Sequence, residues 1–201
     1  AVSVALSPWC DGSDALAGVI AITTRKDERT ELNVSLGSFG QAEASIGGSV
    51  KRDDLRLFAS VGSAHGDGFS ATTKGDPDRD GFSQHYLKLG ADYQTKFGDF
   101  GWHSNINNGF YEFDTSWGGD QADTQQDSHQ LSWQGDVVGT TQQLRVSRSV
   151  DEDTSFGDDV ARSLFRTDRD EVDYQLSYDL ARDLTWLVGS NWYQESVQKD
   201  A

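Results

Sequence analysis

Methionine is absent from the 201 residues, cysteine occurs once and proline twice. With Cys10 alone there is no intrachain disulfide framework and no thiolate metal cluster. Without methionine there is no initiator, and no secretory leader opens the sequence, so a processed, excerpted or engineered chain is expected. No run of about 20 apolar residues occurs, which excludes a transmembrane helix. It does not exclude the membrane, because a strand crosses with only about 10 alternating residues. Basic residues are also scarce: 17 Lys and Arg stand against 33 Asp and Glu, for a net charge of -16. Nucleic acid is thereby excluded as a partner, since it needs a basic face. The acid excess suits cation capture or plain solubility.

Aromatic residues are plentiful. They make up 11% of a chain that is only 35% hydrophobic, and six are Trp. A disordered chain carries few of them. Spaced aromatics among few aliphatic residues fit a β structure that is apolar on one face only.

Alternation with a period of two runs through the chain from Thr30. Leu55, Leu57, Ala59 and Val61 oppose Arg56 and Ser60; Leu87, Leu89, Ala91 and Tyr93 oppose Lys88 and Asp92. The pattern returns at Phe100–Phe110, Leu131–Val137, Leu144–Val146, Val172–Leu180 and Leu184–Trp192. Asn108-Gly109 is a hairpin signal, but the phase continues through it to Phe110, so one strand is expected there. Ahead of this region, Ala1–Leu6 and Val19–Thr24 carry strand chemistry. The expectation is an all-β, antiparallel up-and-down meander of about nine strands after residue 26.

The connections have a rhythm. Short turns at 51–54, 97–99, 138–140 and 181–183 alternate with long loops at 66–82, 114–124 and about 151–164. A meander that sorts its long loops to one end predicts a transmembrane β-barrel, here a partial one. Arg56, Lys88, Gln134 and Gln175 should line one side of the sheet, and Leu57, Leu89, Trp102, Trp133, Leu176 and Trp186 the other. A one-sided soluble sheet gives the same alternation. A secreted calcium-binding β-domain for adhesion or carbohydrate binding is therefore the alternative.

Asp76-Pro77-Asp78-Arg79-Asp80-Gly81 places three carboxylates at alternate positions closed by Gly, as in the first half of an EF-hand loop. Leu87 occupies the twelfth position where an EF-hand needs Glu, which leaves a non-EF calcium loop or a solvated acidic turn. Gly66-Asp67-Gly68-Phe69-Ser70-Ala71 lacks the following helix of a dinucleotide fingerprint, and the four histidines show no ligand spacing. No Ser/His/Asp or Cys/His arrangement emerges, so no enzyme is expected.

The stretch GSDALAGVIAITTR, Gly12–Arg25, followed at once by this meander, resembles the end of the plug domain of TonB-dependent outer-membrane receptors, most closely the cobalamin branch. The resemblance implies that residues 1–25 end a plug and that 26–201 begin a barrel. It further implies a bacterial outer-membrane location, lipid around the barrel, energy from TonB through a region not contained here, and a corrinoid or siderophore as ligand. Residues 18–24 are then expected to pack on the concave face or to extend a sheet edge. In the cobalamin branch, calcium organises two neighbouring loops. Carried onto this sequence, HGDGF, DPDRDGF, Phe113-Asp114 and Asp123-Thr124 give Asp67, Asp76, Asp78, Asp80, Asp114 and Asp123 as its ligands.

Overall fold

The computed structural model describes residues 2–5, 19–22, 28–70, 78–114, 120–157, 160–182 and 184–200, with side chains from residue 28 onward. Two short strands, β1 (Val2–Ala5) and β2 (Val19–Ile22), pair antiparallel in a sheet of their own. The remaining strands are β3 (Thr30–Leu36), β4 (Ala42–Arg52), β5 (Leu55–Gly66), β6 (Phe82–Thr95), β7 (Gly98–Glu112), β8 (Gln121–Val137), β9 (Thr140–Gly157), β10 (Val160–Ala181) and β11 (Leu184–Asp200). They form one nine-stranded sheet in sequence order, each strand antiparallel to the next, with β3 and β11 as its two edges. The sheet is an open up-and-down meander, consistent with part of a barrel. Residues 19–22 do not extend either edge; among the described residues they pair only with β1.

Directly opposed residues in antiparallel strands point to the same side, so the register sorts the side chains into two faces. Leu55, Tyr93, Phe100, Trp133, Leu144 and Tyr174 lie in one row across six strands. The next row on that face runs Leu57, Ala91, Trp102, Leu131, Val146, Val172 and Trp192. Leu176 pairs with Val188 and Tyr178 with Trp186 on the same side. The opposite face carries Arg56, Asp92, Lys88, Gln134, Gln143 and Gln175. Leu57, Leu89, Trp102, Trp133, Leu176 and Trp186 thus share a face, as the alternation predicts. β7 also runs unbroken through Asn108-Gly109.

The polar face is knit together sideways. Gln84 Nε2 donates to Asn107 Oδ1 at 3.1 Å, Asn107 Nδ2 to Gln126 Oε1 at 3.4 Å, and Gln126 Nε2 to Asp151 Oδ1 at 3.5 Å, a relay over four strands. The apolar face has no such internal partner. Ala122 is the one fully buried apolar residue among those described, while Leu131 remains 59% and Trp186 60% exposed. The sheet is a single layer, and among the described residues no second layer stands behind its apolar side.

Nor does the apolar band follow the hydrogen-bond rows. The row Val61, Leu87, Ile106 continues into Asp127, Val150 and Asp168. Crossing from β5 to β10, the band drifts toward the short-turn end. An oblique band fits strands tilted as in a barrel.

The short turns use left-handed backbone. Val138 (φ 51°) and Gly139 (φ 77°) are both positive, as a two-residue type I′ hairpin requires, and Asp53 (φ 52°) serves the turn after β4. Long connections at 67–81 and 113–120 lie at the other end. The expected third long loop, 151–164, is not a loop: β9 reaches Gly157 and β10 begins at Val160. The second is shorter than expected, because β8 begins at Gln121 and takes Asp123 into the ladder. In the hairpin Glu152 and Asp168 are paired with arginines of β9 and β10, so they need no solvated loop. Arg166 Nη1 meets Glu152 Oε2 at 2.7 Å, its Nε and Nη2 form a fork on Asp168 at 2.7 and 3.1 Å, and Arg148 reaches Asp168 at 3.3 Å.

The fork from Arg166, reinforced by Arg148, holds the Asp168 carboxyl below its usual range. A carboxylate whose folded pKa is depressed stabilises above its unfolded value, about 3.9, and loses that contribution as pH falls through the folded value. Amide exchange over 150–168, corrected for intrinsic rates, should therefore accelerate in wild type below about pH 4. Arg166→Gln should show the faster exchange already at neutral pH. Unchanged exchange in that variant would mean the charges do not hold the hairpin.

Candidate metal centre at the loop end

The turn 37–41 and the connections 67–81 and 113–120 meet at one end of neighbouring hairpins and are joined by backbone. Asp67 N–H donates to the Phe39 carbonyl at 2.9 Å, Glu112 N–H to the Gly81 carbonyl at 2.9 Å, and Gly81 N–H to Glu112 Oε2 at 2.9 Å. Phe113 N–H donates to the Asp120 carbonyl at 2.8 Å, and Asp120 N–H to the Phe156 carbonyl at 2.9 Å. The first long connection folds back on itself at Gly68, whose φ of +65° and contact with the Asp80 carbonyl leave no space for a Cβ. That contact brings the end of the connection beside its beginning.

Within this arrangement Asp78, Asp80 and Asp114 each offer one carboxylate oxygen, all within 4.8 Å of one another. Asp78 is exposed; Asp80 and Asp114 are half-buried. Calcium takes oxygen ligands at 2.3–2.6 Å, so two donors on opposite sides of one ion stand about 5 Å apart. The spacing fits a shared hard cation.

Of the other sequence-derived candidates, Asp67 lines a hollow together with Asp78, and Asp123 stands in a strand. Asp67 is engaged by His65 at 3.2 Å and Arg79 at 4.0 Å, and its carboxylate packs on Gly40. Asp123 lies within β8, exposed, at a register position opposite Phe110 and Thr154. Asp76 falls outside the described residues. Glu112 was not singled out by sequence, yet it clamps Gly81, the residue closing the DPDRDG motif, and so ties the two connections together. Its only signal is position: an acid at a strand end, two residues before Asp114. Nearby, exposed Phe39 and Phe69 meet tilted at 45°, with ring centroids 5.3 Å apart. Tyr111, under the second connection, donates to Asp153 Oδ2 at 3.1 Å; burial first, then that carboxylate, push its phenol above the usual value.

No protein-family profile matches the chain. It is 27% identical to the vitamin B12 transporter BtuB of Photobacterium profundum, in an alignment over 201 residues that covers 92% of this chain and 32% of that protein. The chain thus spans about a third of the curated relative it matches.

If the cluster takes calcium, binding should tie Asp78 and Asp80 to Asp114. Calcium added to the full-length protein should protect 67–81 and 113–120 from proteolysis more strongly than equal magnesium, and Asp80→Asn/Asp114→Asn should abolish the difference. Equal cleavage with and without calcium in wild type would remove the site.

Proposed function

We propose that the chain is part of a TonB-dependent outer-membrane receptor that imports cobalamin or a related corrinoid, with a siderophore as the second ligand class. Residues 1–25 end its plug and 26–201 begin its barrel in the bacterial outer membrane. The carrying observation is the single-layer sheet whose apolar side is exposed across its breadth, with Leu131 at 59% and Trp186 at 60%, while charged and amide side chains fill the other side. Such a face is not stable against water; lipid covers it without a second protein layer. The oblique band, the two long connections at one end and the likeness to a vitamin B12 transporter support the same reading. A soluble calcium-binding β-domain would need a covered apolar face, and none is found among the described residues.

In this reading the polar face lines the lumen, and the plug and TonB supply the gate and the energy. Calcium at Asp78, Asp80 and Asp114 stiffens the outer connections before ligand arrives, lowering the ordering cost of binding. These carboxylates hold and position; no bond in the ligand is made or broken.

The test is the full-length protein in outer-membrane fractions, titrated with cyanocobalamin and, separately, with ferric siderophores. Saturable cyanocobalamin binding supports the corrinoid reading; saturable binding of a siderophore alone transfers the receptor to that class. Recovery in the aqueous phase without detergent would overturn the membrane assignment altogether.

The two faces make a second test. A charge at mid-bilayer costs about 2–4 kcal/mol on the lipid side of a barrel and little in the lumen. Leu131→Arg should sharply lower the heat-modifiable, assembled fraction of the receptor, and Gln134→Arg should leave it near wild type. Equal effects would argue against the assignment of faces.

A further inference from the structure

At the short-turn end, the apolar side of the sheet finishes in a tip that is fixed but uncovered. The turn from β6 to β7 leans over that side: the Trp133 indole N–H donates to the Phe97 carbonyl at 3.0 Å. Two glycines make room. A Cβ on Gly98 would stand 2.8 Å from the Trp133 indole nitrogen, and one on Gly135 would stand 2.9 Å from the Phe97 carbonyl. Thr95 braces the turn from inside, its hydroxyl donating to the Gly98 carbonyl at 2.8 Å and accepting from the Phe97 N–H at 3.0 Å. The side chains of this held turn face outward. Phe97 is 71% exposed. Among the described residues Lys96 forms no ion pair; its ammonium lies 4.8 Å from the centre of the Phe97 ring. The acids nearest in sequence belong to the other face: Asp99 stands opposite Gln94 and Gln134, and Asp136 accepts from the Thr141 hydroxyl at 2.7 Å. At the neighbouring tip Val138 is 96% exposed in left-handed backbone (φ 51°), where Asn is the usual residue and a β-branched one is disfavoured. A turn that faced only water would gain nothing from an apolar side chain held there.

A cation on an exposed ring, at the border of an apolar face, matches a partner that is itself part apolar and part anionic. A free anion would meet the ammonium and leave the ring in water. A phospholipid serves both, because its acyl chain covers the ring while its phosphate meets the ammonium. The headgroup then matters. A zwitterionic one carries its own cation beside the phosphate, whereas an anionic one leaves that place to Lys96. We propose that Lys96, Phe97 and Val138 form a site for anionic phospholipid at the membrane boundary of the short-turn end. The site rests on the membrane reading above and adds which lipid is held and by which residues. It does not depend on the ligand imported.

The experiment places the photoprobe p-benzoylphenylalanine at Phe97 of the full-length receptor, in bilayer discs of equal phosphatidylglycerol and phosphatidylcholine. Mass spectrometry then identifies the lipid trapped by light. Phosphatidylglycerol should exceed phosphatidylcholine roughly 5-fold, the gain expected of one lysine at an anionic surface. Lys96→Gln should bring the two to parity, and the same probe at Val138 should trap lipid as well. Equal trapping of both headgroups with Lys96 present would overturn the proposal. So would adducts with protein alone, or none, at either tip. The probe at Leu131 separates that failure from failure of the membrane reading: lipid adducts there without any at Phe97 strike the site alone, and none at either position strikes both.

Discussion

The constraint behind this molecule is that its sheet has one layer. Nine strands satisfy their backbone groups against each other, but among the described residues the apolar side chains gathered on one side have no second sheet or helix to meet. Soluble domains close two layers around a core. In the receptor reading proposed above, lipid takes the place of the second layer. From this follow the alternation in nearly every strand, the amide relay on the polar side, and the low aliphatic content. The sheet has no interior to fill, only one face to coat.

The alternation was legible because it is local: side chains change sides at every residue, so a stretch such as Leu87-Lys88-Leu89 declares both faces at once. It also overrode a misleading signal. Asn108-Gly109 favours a tight turn, but residues 82–95 and 121–134 supply ladder partners on both sides of β7, and the extended conformation wins. The extent of the hairpins was not legible. Asp151, Glu152 and Asp153 look like loop when their strand is read alone, because like charges repel and solvate. Their partners come from other strands, Gln126 for Asp151, Arg166 for Glu152 and Tyr111 for Asp153, and a sequence does not show which residues stand near until the register is known. Asp123 was misplaced for the same reason: the ladder with β7 and β9 claims it.

The loop-end cluster was half legible. Alternate carboxylates in Asp78-Arg79-Asp80 announce a cation loop, and Asp114 at the next loop offers the matching oxygen. Glu112 escapes such reading because its role lies in geometry. It binds a backbone N–H, a group every residue but proline possesses, so no motif marks its target. Asp67 shows the converse. Its sequence context suits a ligand, yet His65 two residues earlier on the chain and Arg79 across the connection compete for its carboxylate.

The same register explains why charge is distributed so unevenly. Strands lengthen from 7 residues in β3 to 22 in β10, while the apolar band keeps to one oblique stripe, so the later hairpins run on past it. Beyond the band, residues on the apolar side stand in water and become Arg148, Glu152, Arg166, Asp168 and Asp170. On that face, polarity is a matter of height along the strand rather than of parity. On the polar face charges stand in pairs at every height: Arg56 lies opposite Asp92, Arg145 reaches Asp173 at 4.0 Å and Arg169 reaches Glu171 at 3.1 Å. Two separate requirements set this pattern. The strand ends must be soluble, and whatever enters the concave side must be held by side chains, because the backbone is already used.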